Sequence, residues 1–230
     1  MAAARIIPTG RIAALLVDLD GVVTRTASVH AQAWKRLFDE FLQERAARLD
    51  EAFEPFDAER DYNAHVDGKP RYRGVADFLA ARDIDLPQGD PDDEPGFDTV
   101  CALGNAKQRY FVAALRQQGA EVFEDALDLL NRARKDGLGL AVVTSSANCS
   151  EVLAAAGLES IFDAQVDGND GRRLGLSGKP DPDSFLLGAE RLGVRPLQAA
   201  VLEDAVAGVE AGRNGAFGWV VGVDRVGHGD

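Results

Sequence analysis

Four short stretches of the chain are apolar almost throughout, and each runs into polar residues and then a helical pattern. They are Ala13–Asp18 (AALLVD), Leu138–Thr144 (LGLAVVT), Ala199–Glu203 (AAVLE) and Phe217–Val223 (FGWVVGV). A strand with one wet face alternates apolar and polar residues. A continuous apolar run of this length predicts a strand buried on both faces, as in parallel sheets covered by helices. Helical patterns at Glu124–Lys135 and Cys149–Ala156 supply such covers. Each stops at a glycine, Gly137 and Gly157, as helix C-termini prefer. The predicted fold class is α/β, with a doubly wound, Rossmann-like parallel sheet as its core.

The stretch between the first two strands is far longer than one crossover requires. It holds helical patterns of its own at Val29–Arg48, Val75–Arg82 and Gly104–Gln118. Between the last two lies DIDLPQGDPDDEPGFD, acidic and rich in Pro and Gly, which reads as a solvated loop. The predicted organisation is a core made of residues 1–27 plus 119–230, with residues 28–118 inserted after the first strand as a helical cap. The cap is expected over the C-terminal edge of the sheet, where open α/β sheets bind ligands. No internal repeat or heptad array is present.

Composition sharpens this picture in two ways. Of 230 residues, 38 are Asp or Glu and 25 are Lys or Arg, a formal charge of −13, which argues against nucleic acid or an anionic membrane as partner. An anionic substrate then needs a local cluster of positive groups. The two cysteines, Cys101 and Cys149, cannot build a disulfide framework and fit a reducing compartment. The run Ile12–Val17 is too short for a signal sequence or a membrane span, and the Asn148-Cys149-Ser150 sequon reads as chance. A cytoplasmic monomer acting on a small molecule is expected.

Each predicted strand ends in a polar group suited to phosphoryl transfer. The first gives Asp18-Leu19-Asp20-Gly21. Two carboxylates two residues apart across a strand end can face one substrate in different roles. Asp18 would attack phosphorus, and Asp20 would protonate the leaving oxygen and later deprotonate the acceptor. The second ends in Thr144-Ser145-Ser146, where a hydroxyl and helix-opening amides suit a phosphate oxygen. Lys179, set between Gly178 and Pro180, is placed to pair with the nucleophile and the transferring phosphate. The third strand, AAVLE, ends in Glu203-Asp204, and a strand buried on both faces should not end in two carboxylates without a cation nearby. Asp18, Asp20, Glu203 and Asp204 are thus candidate ligands for Mg²⁺, a backbone carbonyl and water completing the octahedron. Taken singly, each motif also fits a plain reading: a strand-ending turn, a helix N-cap, a surface lysine.

In their order, DLDGVVT, VVTSS, GKPDPDSF and LEDAVAGVEAG resemble the haloacid dehalogenase-like superfamily over nearly the whole chain. The resemblance implies Asp18 as nucleophile, Asp20 as acid/base, Thr144 and Lys179 on the phosphate, and Asp204 with Glu203 at the metal. The opening DLDGVVTRTASVHAQAWKRLF and the loop DGKPRYRGV are similar to the β-phosphoglucomutase-like subfamily. By that likeness Thr26 lies at the cap hinge and His30 near the acid/base. Arg71 grips the phosphate not being transferred, Lys107 meets the sugar or its second phosphate, and Ser146 and Asn148 meet the distal phosphate. Arg71 and Lys107 also fit as surface cations, and His30 as packing against Trp34.

The implied reaction is conversion of β-glucose 1-phosphate to glucose 6-phosphate through glucose 1,6-bisphosphate. The alternative is a sugar-phosphate phosphatase with the same core residues. A phosphoacceptor signalling domain is disfavoured, since it needs neither the second carboxylate nor a large cap. The chain departs from the family pattern at Arg25, where an acid is common, and in its longer cap loops. It also stops at VVGVDRVGHGD, where another strand and helix are expected, as in a truncated chain.

Overall fold

The structure, a computed structural model, describes residues 11–66 and 69–225. The N-terminal MAAARIIPTG, Asp67 and Gly68 of the DGKPRYRGV loop, and residues 226–230 of the C-terminal end lie outside the described residues. In chain order, strand β1 (Ala14–Val17) precedes three long helices, α1 (Ala27–Leu49), α2 (Arg71–Ala81) and α3 (Val100–Gln118). Then follow α4 (Glu124–Lys135), β2 (Gly139–Val143), α5 (Cys149–Ala156), β3 (Ala164–Val166), α6 (Gly168–Leu174), α7 (Asp183–Arg191), β4 (Ala199–Glu203), α8 (Val206–Asn214) and β5 (Trp219–Gly222). The chain divides into two compact units, Ala27–Gly119 and the segments Met1–Thr26 with Ala120–Asp230.

The second of these is the α/β unit. Its five strands are all parallel, in the order β3-β2-β1-β4-β5. Leu16, Ala141, Val143 and Val201 pack on one face with Phe185 of α7 and Ala211 of α8. The alternate residues Leu15, Val17, Leu140, Val142 and Ala200 are buried as well, so both faces are covered, as the unbroken apolar runs require. Val17 pairs with Val142 on one side and Leu202 on the other. Carried one residue further, this register sets Asp18 level with Glu203 at the C-terminal edge. The three-residue β3 was not predicted: at an edge of the sheet and with two of its residues half-buried, AQV lacks the apolar run that marked the others.

In the helical unit, α1 buries Val29, Ala33, Trp34, Leu37, Phe38 and Phe41 along one stripe. Phe38 stacks on Trp34 and Phe56 and meets Phe78 at a tilt. Helix α3 begins four residues before its predicted start because the Thr99 side chain caps it, accepting the Ala102 N–H at 2.9 Å. Between α1 and α2 lies a π-helical turn, Tyr62–Val66. The acidic stretch 83–98 is irregular, as predicted, yet anchored: Pro87 and Gln88 carbonyls accept the first N–H groups of α3, at 3.0 Å each. No helix among the described residues is long and apolar enough to cross a membrane.

Candidate active site

Asp18 follows β1 directly and is buried, its N–H donating to the Leu202 carbonyl at 3.0 Å. The chain then turns back on itself, with the Val23 and Thr24 N–H groups both reaching the Leu19 carbonyl. Gly21 makes the turn possible twice over. Its φ of +89° suits glycine, and a Cβ there would collide with the Asp204 carboxylate. Asp204 is thereby brought from the end of β4 against the DLDG turn. Thr26 closes the group by donating its hydroxyl to Oδ1 of Asp20.

Lys179, from the segment before α7, inserts its ammonium between two carboxylates. Nζ donates to Asp18 Oδ1 at 2.6 Å and to Glu203 Oε1. The Lys179–Pro180 bond is cis. Burial opposes the lysine's charge, but Asp18 and Glu203 together outweigh it and raise its pKa. One ammonium cannot satisfy both acids. Burial, opposed by Lys179 but supported by Glu203 and Asp20, pushes Asp18 up to about 8. The second oxygen of Glu203 accepts the Ala205 N–H at 2.7 Å. Glu203, at the end of β4, thus ties Lys179 to the turn that opens α8.

Thr144, Ser146 and Asn148 come together in one loop after β2. Thr144 Oγ1 accepts the Ser146 N–H at 3.1 Å, and Ser146 Oγ accepts the Asn148 N–H at 3.2 Å. Both hydroxyls use a lone pair locally and keep their protons for an outside acceptor. The loop is clamped by Asn169, whose Nδ2 donates to the Ala147 carbonyl at 3.0 Å.

Among the described residues, no three His, Cys, Asp or Glu side chains stand together closely enough to hold a metal ion. The donor chemistry nevertheless fits a hard divalent cation. Asp204 is raised to about 6, by burial and then by Glu203, and Asp20 adds to the repulsion at both Asp18 and Asp204. Carboxylates crowded until they raise one another's pKa are a site that a cation relieves.

The remaining predicted residues fall in the helical unit, where His30 and Lys107 meet and Arg71 stands apart from them. His30 stacks on Phe111, with ring centroids 4.0 Å apart, and its Nδ1 lies 2.7 Å from Lys107 Nζ. Burial, then the Lys107 charge, holds the imidazole well below its ordinary pKa, so it stays neutral and accepts from the ammonium. Lys107 also faces the Trp34 and Phe111 rings, at 5.1 and 4.9 Å. Arg71, the first residue of α2, bonds Gln108 Oε1 at 3.0 Å, the Tyr72 hydroxyl at 3.0 Å and Asn105 Oδ1 at 3.3 Å. These three partners went unnoticed in the sequence. The available signal was the spacing of Asn105 and Gln108, three apart and so on one face of α3.

Residues 12–215 match the haloacid dehalogenase-like hydrolase family. A β-phosphoglucomutase of Mycobacterium bovis is 50% identical over 217 residues, 94% of this chain and 83% of that protein. A phosphorylated carbohydrates phosphatase of Thermotoga maritima is 27% identical over 91% of this chain and 84% of its own length. Among solved structures, CbbY from Rhodobacter sphaeroides in complex with phosphate superposes with a TM-score of 0.69 at 25% identity, covering 95% of this chain and 90% of that one. The motifs at the strand ends, the sheet order and this likeness over the whole α/β unit agree: the chain belongs to the haloacid dehalogenase-like hydrolases, in their β-phosphoglucomutase-like branch.

Proposed function

We propose that this chain is a Mg²⁺-dependent β-phosphoglucomutase, which converts β-glucose 1-phosphate to glucose 6-phosphate through glucose 1,6-bisphosphate and a phosphate ester on Asp18. The observation that carries the reading is the buried bridge from Asp18 through Lys179 to Glu203, which positions a carboxylate and an ammonium for one phosphate. The name of the M. bovis relative supplies the sugar.

In this reading an Asp18 oxygen attacks phosphorus while Lys179 neutralises charge gathering on the phosphoryl oxygens. Thr144 donates its hydroxyl proton to the same group, and Ser146 meets the distal phosphate. The Thr26 hydroxyl donates to Oδ1 of Asp20 and so fixes the direction of that carboxyl. Asp20 gives a proton to the leaving oxygen and takes one back from the acceptor hydroxyl. Asp18, Asp20, Glu203 and Asp204 would hold Mg²⁺, whose charge would let an anionic nucleophile approach an anionic phosphate. Arg71, His30, Lys107 and Asn148 bind the sugar and its second phosphate. Residues 28–118 act as the cap, with Thr26 at its hinge. A cytoplasmic monomer goes with this reading, and the two buried free cysteines fit a reducing setting.

A second reading, a sugar-phosphate phosphatase, is favoured by the Thermotoga relative, and differs only in letting water reach the phosphoenzyme. The test supplies Mg²⁺, β-glucose 1-phosphate and a trace of glucose 1,6-bisphosphate, and follows glucose 6-phosphate and inorganic phosphate together. Glucose 6-phosphate without matching phosphate release is expected. Phosphate release alone would establish the phosphatase, and neither product would remove the glucose assignment.

A further inference from the structure

Arg71 differs from Arg73 and Arg82, the other arginines of its helix and its end, in the charge of what holds it. Arg73 pairs with Asp77 at 2.8 Å, and Arg82, which caps the end of α2, pairs with Asp61 at 2.9 Å. Among the described residues, the hydrogen-bond acceptors of Arg71 are two side-chain amides and a phenol, all neutral. A guanidinium held by neutral acceptors is fixed in direction without losing its charge to a partner. In a chain of charge −13, that takes particular surroundings.

Asn105 is the centre of those surroundings. Its Oδ1 accepts from Tyr72 Oη at 2.9 Å and from Arg71, while both protons of Nδ2 are taken by the carbonyls of Pro91 (3.0 Å) and Asp93 (2.8 Å). The acidic loop therefore meets this helix face through its backbone. The carboxylate of Asp93 is turned to its own loop, where it accepts the Thr99 hydroxyl at 2.6 Å and the Asp90 N–H at 3.1 Å. Gly104 lets the Tyr72 ring lie close: a Cβ there would come within 2.6 Å of it. The Tyr72 ring also lies under the guanidinium, 4.8 Å from its centre.

We infer that Asn105 and Gln108 are positioning residues for the reaction, a pair of neutral amides that aim Arg71 and leave its charge for a substrate phosphate, with Asn105 also tying down the acidic loop. The inference rests on the assignment of Arg71 to the non-transferring phosphate. It predicts that replacing an amide by a carboxylate of the same shape is worse than its size suggests, because the arginine gains an internal counter-ion.

The experiment compares wild type, Arg71→Ala, Gln108→Glu, Asn105→Ala and Arg71→Ala/Gln108→Glu in steady-state turnover of β-glucose 1-phosphate with Mg²⁺ and glucose 1,6-bisphosphate. Gln108→Glu should raise KM about tenfold, the scale of one lost charge-assisted hydrogen bond, with kcat at saturation little changed. Asn105→Ala should raise KM less, and the double variant should match Arg71→Ala, since the inferred effect of the amide on KM runs through the arginine. Thermal melts of all five separate folding from binding, and Gln108→Glu leaves the loop contacts of Asn105 intact. If Arg71→Ala raises KM while Gln108→Glu does not, or if the two effects add, the positioning role falls and the arginine's role stands. If Arg71→Ala leaves KM unchanged, the assignment of Arg71 falls, and this inference with it.

Discussion

Each unit of this protein buries an aspartate, and the two have opposite surroundings. Burial by itself would raise the pKa of Asp61 in the helical unit. Hydrogen bonds from Arg60 and Arg82, each at 2.9 Å, and from the Asp57 N–H at 3.0 Å outweigh it and hold the carboxyl at about 2. Asp18 in the α/β unit shares one lysine with Glu203, has Asp20 nearby and rises to about 8. Asp61 is over-supplied with donors and behaves as a structural tie. Asp18 is under-supplied, an arrangement that costs stability and suits a site that receives charge from outside, as cation and substrate.

The largest test of this contrast exchanges each acid for its amide. Asp18→Asn should reduce turnover below detection and abolish labelling of the protein by phosphate, whereas Asp61→Asn should lower Tm and leave kcat near wild type. A comparable loss of kcat in both variants would erase the distinction. Next in size is Asp20→Ala, expected to slow transfer by roughly 10²–10⁴-fold with the fold intact by circular dichroism. Near-normal turnover would remove Asp20 from proton transfer.

Lys179→Met should cost about 3–5 kcal/mol, because two buried carboxylates lose their common partner, and should lower Tm by roughly 10 °C. A melt that does not move would mean that Asp18 and Glu203 find other partners.

The finest test is the pH dependence of Tm in chelator. Asp18 has a folded pKa above that of an unfolded aspartate, about 3.9, so its contribution to stability is present in acid and lost as pH rises from about 4 to about 8. For Asp61 the folded pKa is the lower, so its contribution is present above about 4 and lost as pH falls towards 2. Mg²⁺ should raise Tm most at the alkaline end, where the acids are ionised, and Asp61→Asn should flatten only the acid limb. A Mg²⁺ effect equal at pH 5 and pH 8 would contradict the crowding of acids at the site.

Much of the α/β unit was legible because two-sided burial leaves a plain trace: AALLV, LGLAVV and AAVLE are continuous apolar runs, and the acids, hydroxyl and lysine stand at or beyond their ends. Edge strands escape that rule. AQV of β3 carries no apolar run, whereas β5 lies within one, FGWVVGV, and yet leaves Trp219 39% exposed at the other edge of the sheet. Helix α3 starts before the predicted Gly104 because Thr99 caps it at Val100, and Gly104 inside the helix admits the Tyr72 ring.

The sequence by itself determined the residue types at each strand end and their order along the chain, because those depend on local pattern and on chemistry that tolerates few substitutes. Only the tertiary structure decided how they divide the labour. Glu203 and Asp204 are adjacent and alike on paper, yet one turns inward to Lys179 and the other packs over Gly21, since successive residues leaving a strand point to opposite sides. Likewise Arg71 is one arginine among many in the sequence. Its neutral partners lie 34 and 37 residues away, and nothing local specifies that two amides rather than an acid will face it.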